Sequence, residues 1–211
     1  MTKHERRFDP SRAALLDDPQ RMEWLPIGEV LAALHLHPGQ SVADIGAGTG
    51  YFTLPMAAAV GGGGVLYAVD VSPEMLDHLR RKLTAANRTN VQCVEAEAAA
   101  TGLPDASVDL VFLANVWHEF DDQAAVLHEA QRLLRPSGRV AILDWRPDVE
   151  REPGPPLAHR VARSAAEETL RAHGWQLQTS RNVGRYSWLI MAQPTATDRA
   201  TSPAQNGKEG M

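Results

Sequence analysis

Cysteine is nearly absent from this chain of 211 residues. Cys93 stands alone, which excludes an intramolecular disulfide and any metal cage built from cysteines only. No apolar run approaches the roughly 20 residues that a membrane-spanning helix needs, so no membrane insertion is expected. The stretch Met1–Asp9 is charged and lacks the apolar centre of a secretory signal, which makes a cytoplasmic location the default expectation. Basic blocks are missing as well. The 21 Lys and Arg stand against 26 Asp and Glu, a formal charge of −5. That balance argues against the backbone of a nucleic acid as main partner. Internal repeats are lacking, and no metal site is expected: His118-Glu119 is not the start of a zinc motif, because Asp122 stands where a second histidine is required. What is left has the composition of one ordinary globular domain, long enough to bury a core without staples.

The first forty residues are polar and helix-prone, punctuated by Pro10, Pro19 and Pro26, with scattered apolar anchors from Phe8 to Leu25. From Ser41 the texture changes. Short apolar strands at Ser41–Ile45, Val65–Val69, Val91–Glu95, Val108–Leu113 and Arg139–Asp144 alternate with amphipathic helices. One such helix follows Ser72, which reads as its N-cap, with Pro73 at the first helical position. Another is capped by Asp121 or Asp122 and stopped by Arg135-Pro136-Ser137-Gly138. This alternation is the pattern of a parallel sheet covered on both faces. After a proline-rich loop at 147–156, a helix over Val161–His173 leads into two strands, Trp175–Thr179 and Tyr186–Ala192, that form a closing antiparallel pair. The expected organisation is a helical cap over residues 1–40, an α/β domain over 41–193 and a disordered tail over 194–211.

The strongest local signal is Asp44-Ile45-Gly46-Ala47-Gly48-Thr49-Gly50, between a strand and a helix, with Asp70 at the end of the next strand. Glycines there permit a tight turn and let a ligand approach the backbone. Asp70 follows Gly50 by 20 residues, where an acid can accept both hydroxyls of a ribose. A nicotinamide dinucleotide and S-adenosylmethionine (SAM) both fit so far. The dinucleotide fingerprint is Gly-x-Gly-x-x-Gly, whereas here the third glycine comes one residue early. Asp44 also stands close to where a pyrophosphate would lie, and two like charges desolvated together are costly. SAM has no phosphate and carries an ammonium and a sulfonium, so Asp44 favours it over NAD and over a nicotinamide-dependent oxidoreductase.

At these residues the chain resembles the class I SAM-dependent methyltransferases, from about Ser41 to Asp144. Asp44–Gly50, including Gly46, Ala47, Gly48 and Gly50, is similar to the family's first motif, and Asp70 to the ribose-binding acid of its second. The resemblance implies that Val71 and Met75 flank the adenine, and that Glu97 and Ala98 meet its amino group and ring. Val108–Leu113 and Leu133–Arg139 match the fourth and fifth strand regions. It also implies a Rossmann-like, doubly wound, predominantly parallel α/β sheet of about seven strands with a reversed final strand and helices on both faces. Within the class the chain looks closest to a small-molecule branch, that of the quinone-biosynthesis C-methyltransferases and the arsenite methyltransferases. The latter hold their metalloid with several cysteines, and a single Cys93 in an expected buried strand speaks against that substrate.

Methyl transfer from a sulfonium is an in-line displacement, so the protein must align the nucleophile, exclude water and, for some acceptors, remove a proton. Residues for that work belong at the carboxyl ends of the fourth and fifth strands. His118 and Glu119 are the expected acceptor-facing pair, with His118 as base. Asp144 is the third candidate, either facing the acceptor or paired with an arginine. The segment Phe8–Leu25 is expected to cover the site as a lid. The partner expected is a small-molecule methyl acceptor, the assembly a monomer or homodimer. A chain of this pattern that binds SAM without catalysis, as a sensor or partner subunit, is the alternative.

Overall fold

Alternation of apolar residues along the strands decides which helices cover which face of the sheet. The computed structural model describes residues 8–149 and 154–195. The expected tail from residue 196 onward and part of the proline-rich loop lie outside the described residues. Seven strands form: β1 (Val42–Ile45), β2 (Leu66–Asp70), β3 (Val91–Glu95), β4 (Val108–Ala114), β5 (Leu134–Trp145), β6 (Trp175–Val183) and β7 (Ser187–Pro194). Their order is β3-β2-β1-β4-β5-β7-β6, parallel from β3 to β5, with β7 antiparallel to both β5 and β6. The expected doubly wound sheet is therefore present, and its reversed strand is β7, inserted between β5 and β6.

The helices are α1 (Arg21–Trp24), α2 (Ile27–Leu34), α3 (Thr53–Val60), α4 (Pro73–Ala85), α5 (Gln123–Leu133) and α6 (Arg163–Ala172). Val42, Leu110, Phe112, Ala141 and Leu143 point to one face and meet α2, α3 and α4. Ala43, Ile45, Val111, Leu113 and Ile142 point to the other and meet α5 and α6. Each buried Val, Leu, Ile or Phe side chain on these faces contributes about 1.5–3 kcal/mol. Caps set the helix starts: Ser72 Oγ accepts the Met75 N–H at 3.2 Å, and Asp122 Oδ1 accepts the Ala125 N–H at 2.9 Å.

Three local expectations need correction. Arg135–Gly138 does not separate helix from strand, because β5 begins at Leu134 opposite Val108. Register resumes with Leu110 opposite Arg139, so the intervening residues are accommodated as an irregularity inside the strand. Pro194 closes β7 opposite Trp175 rather than opening a tail, and the Thr195 N–H donates to Gly174 O at 2.7 Å. Cys93 is not in a buried strand: β3 is the edge of the sheet, and the side chain is half-buried. The carboxyl ends of β1, β2, β4 and β5, central in the sheet, carry the residues of the site.

Candidate active site

The glycine turn after β1 is fixed to the end of β2. Gly46 and Ala47 donate their N–H groups to Val69 O at 2.8 and 3.0 Å. Gly46 has φ +75°, a conformation that other residues rarely adopt, and a Cβ there would lie 2.5 Å from Val116 Cγ1. Gly50 has φ +90°, and a Cβ there would collide with Leu79 of α4. The first glycine thus admits the loop after β4, and the last admits a neighbouring helix. Asp70 holds the turn from the next strand, with Oδ2 accepting the Gly48 N–H at 2.8 Å and Oδ1 the Ser72 N–H at 2.9 Å.

Asp44 is almost wholly buried at the root of the turn and accepts a hydrogen bond from Thr53 Oγ1 at 2.6 Å. Burial raises its pKa to about 7, the Thr53 hydroxyl offsets part of that, and the Asp70 charge adds to it. Past β4, Trp117–Glu119 forms a single 3-10 turn that places two titratable groups against the end of β5. His118 Nδ1 lies 2.9 Å from Asp144 Oδ1, and the His118 backbone N–H donates to Asp144 Oδ2 at 2.9 Å. Asp144 is fully buried and His118 nearly so. Burial disfavours the charged imidazole, yet the Asp144 carboxylate outweighs it, and the His118 pKa lies above the usual value. Burial also raises the Glu119 pKa to about 7, opposed by His118 and by the Phe8 N–H and reinforced by Asp144 and Asp70. Four carboxyl groups thus converge on the ends of four adjacent strands.

The N-terminal segment crosses these strand ends. Phe8 meets Glu119 through its N–H, and Leu16 Cδ1 lies over Gly48. Asp17 accepts a hydrogen bond from Thr49 Oγ1 at 2.6 Å and pairs with Lys82 of α4. Trp24 packs on Trp145 with ring centroids 5.3 Å apart. Arg160 stacks on the same Trp145 ring, and its side chain donates to the backbone oxygens of Pro155, Arg146 and Val149.

Sequence reasoning singled out His118, Glu119, Asp144, Asp44 and Asp70, and all five gather at this end of the sheet. Asp144 takes His118 as partner, with Arg160 acting on it only through charge. Val71 is exposed and Met75 buried at the start of α4, while Glu97 is exposed and Ala98 half-buried just after β3. Asn115, next to these residues, was not singled out by the sequence. It follows β4 with φ +58°, its N–H donates to Leu143 O at 2.7 Å, and both polar atoms of its amide are buried without a partner among the described residues. Its left-handed backbone is one that asparagine tolerates better than most residues, which is the local signal that was available. Among the described residues no three His, Cys, Asp or Glu side chains group as a metal site, and no helix is long and apolar enough to cross a membrane.

Residues 43–142 match the methyltransferase domain family. The chain is 32% identical over 116 residues to a demethylmenaquinone methyltransferase of Shouchella clausii, covering 55% of this chain and 49% of that protein. It is 30% identical over 154 residues to an arsenite methyltransferase of Halobacterium salinarum, covering 70% of this chain and 39% of that protein. The chain thus spans half or less of the length of these two relatives. A solved SAM-dependent methyltransferase from Aquifex aeolicus superposes with a TM-score of 0.84 at 32% identity, covering 88% of this chain and 98% of that one. The chain belongs to the class I SAM-dependent methyltransferases.

Membership makes SAM the cofactor of this methyltransferase, and the residues fit it. SAM carries two positive charges and one negative. The buried Asp44 and Glu119 have pKa values pushed to about 7 by burial, so a cation beside them relieves a real cost. Asn115 offers a buried donor and acceptor that want a ligand. A pyrophosphate would add negative charge to the same carboxylates, so they favour SAM over a dinucleotide.

Proposed function

We propose that this methyltransferase moves the methyl group of SAM to a small-molecule acceptor, with His118 as general base. The observation that carries the proposal is the buried His118–Asp144 pair at the ends of β4 and β5, beside the glycine turn. When bound, SAM supplies an electrophilic methyl group on a sulfonium. Asp70 would hold the ribose hydroxyls, Val71, Met75, Glu97 and Ala98 the adenine, and Asp44 with Gly46–Gly50 the remainder. Asp144 is an acceptor in this pair, so the His118 Nδ1 carries the proton and Nε2 is the basic nitrogen. Nε2 takes a proton from the acceptor as the nucleophile forms its bond to the methyl group. Asp144 orients the ring and stabilises the imidazolium that results. Glu119 borders the acceptor, and the segment from Phe8 to Leu25 excludes water as a lid.

An acceptor with an acidic O–H or C–H suits such a base. A metalloid acceptor does not, since Cys93 lies on edge strand β3, three strands from β4. The acidic net charge supports a small molecule over a nucleic acid. A cytoplasmic monomer or homodimer completes the proposal. The test is release of S-adenosylhomocysteine from SAM across a panel of phenols, quinols and β-dicarbonyl compounds. Turnover with an acidic acceptor that falls in His118→Ala is the expected result. SAM binding with no transfer to any of them would overturn the proposal in favour of a binding subunit.

A further inference from the structure

Arg21 begins α1, in the segment that crosses the strand ends, and its residue is only 8% exposed. The guanidinium lies 4.2 Å from the centroid of the Tyr51 ring and 5.7 Å from that of Trp24. One terminal nitrogen donates to Leu16 O at 2.9 Å. Its Nε is fully shielded and meets no acceptor among the described residues. The nearby acid, Asp17, acts on it only through charge, and the Asp17 carboxylate is taken by Thr49 and Lys82.

Burial lowers the Arg21 pKa to about 10, partly offset by Tyr51 and Asp17, which measures how poorly the cation is compensated. A desolvated guanidinium with an unused donor is costly unless an anion completes it. Its place says which anion. Tyr51 directly follows Gly50, and Leu16, tied to Arg21, packs over Gly48. The cation therefore sits beside the glycine turn, in a site whose other titratable groups at the strand ends are the acids Asp44, Asp70, Glu119 and Asp144, together with His118, which is already paired with Asp144. Those acids suit the ammonium and sulfonium of SAM and repel its single carboxylate. Arg160 is committed to three backbone carbonyls, and Lys82 to Asp17 and Thr49 O.

We propose that Arg21 receives the α-carboxylate at the amino-acid end of SAM, so that the N-terminal segment recognises the one anionic group of an otherwise cationic cofactor. A guanidinium fork matches a carboxylate in both shape and charge. The inference rests on the reading that this chain binds SAM.

Decarboxylated SAM lacks only that carboxylate and so isolates the contact. Calorimetric affinities for SAM and decarboxylated SAM are compared in the wild type, Arg21→Gln and Arg21→Lys, with circular dichroism as the check on folding. The wild type should prefer SAM by roughly ten- to a hundred-fold, the range for a hydrogen bond to a charged group. Arg21→Gln should bind both compounds alike, at the wild-type affinity for the decarboxylated one. Arg21→Lys should keep an intermediate preference, and it tests the proposal by itself if the glutamine variant does not fold. Equal wild-type affinities for the two compounds overturn the proposal alone. So does a variant that weakens both equally, which marks Arg21 as structural, or one that keeps the full wild-type preference for SAM. Failure of the wild type to bind either compound overturns the cofactor reading itself.

Discussion

The Asp144 carboxylate grips His118 twice, through the ring at 2.9 Å and through the backbone N–H at 2.9 Å. A third bond, from the Trp145 N–H at 2.7 Å, fixes the carboxylate in turn. Ring position and ring basicity therefore depend on one side chain. In Asp144→Asn the burial of His118 is opposed by the Glu119 charge alone, and its pKa should fall relative to the wild type. NMR titration of the imidazole reads this without an acceptor. An unchanged titration would separate the two residues.

Turnover gives the second reading of the same pair. His118→Ala should lower methyl transfer by about 10²–10⁴-fold, the usual contribution of a general base, with SAM affinity nearly intact. In the wild type the rate should rise with pH through the raised His118 pKa, because the neutral ring is the base. A large loss of SAM affinity would instead put His118 in the cofactor pocket.

Asp44 predicts a proton released on binding. Its carboxyl is about half protonated near pH 7 in the ligand-free chain, and a bound cation pulls that pKa down again. Affinity for SAM should therefore increase as pH rises from about 6 to about 8, then level. Stability without ligand runs the other way. The folded chain keeps a proton that the unfolded chain releases, so stability declines from the ordinary carboxyl range near 3.8 up to about 7. Asp44→Asn should weaken SAM and flatten both trends. Calorimetry in buffers of different ionisation enthalpy, with melting curves against pH, checks each.

Asp70→Ala removes the expected ribose acceptor and also the bonds to the Gly48 and Ser72 N–H groups. SAM affinity should fall by roughly ten- to a hundred-fold, about 1.5–3 kcal/mol for charged hydrogen bonds. A folded variant of unchanged affinity would exclude Asp70 from the site.

Gly46→Val combines a positive φ with a 2.5 Å approach to Val116. Binding of SAM should vanish while the far-ultraviolet circular dichroism stays close to wild type. Normal binding would show that this turn is not the cradle.

The features legible in the sequence are local ones. Asp44–Gly50 and the Ser72 cap lie within a few residues of the groups they serve, so spacing alone exposes them. The order of the strands and the reversal of β7 came only through family resemblance, since no period in a chain reports which strands become neighbours. Asp144 was visible as a polar end to β5, facing either an arginine or the acceptor, but its actual partner stands 26 positions away and only the fold brings it near. Arg21 was invisible for the same reason. The sequence marked the segment before the first strand as a cover for the site, but only the fold brings Tyr51 under that guanidinium. Asn115 shows a third case: its amide matters because of what the fold withholds from it.

The Trp24–Trp145 contact has an optical meaning. Trp24 belongs to the N-terminal segment and Trp145 to the end of β5, with rings 5.3 Å apart and inclined by 34°. Two indoles this close share their excited states, so they give a signed near-ultraviolet signal that depends on their mutual orientation. Lifting the segment by a few ångströms would extinguish it. The chain thus carries, without any label, an optical indicator of the distance between this segment and the end of β5.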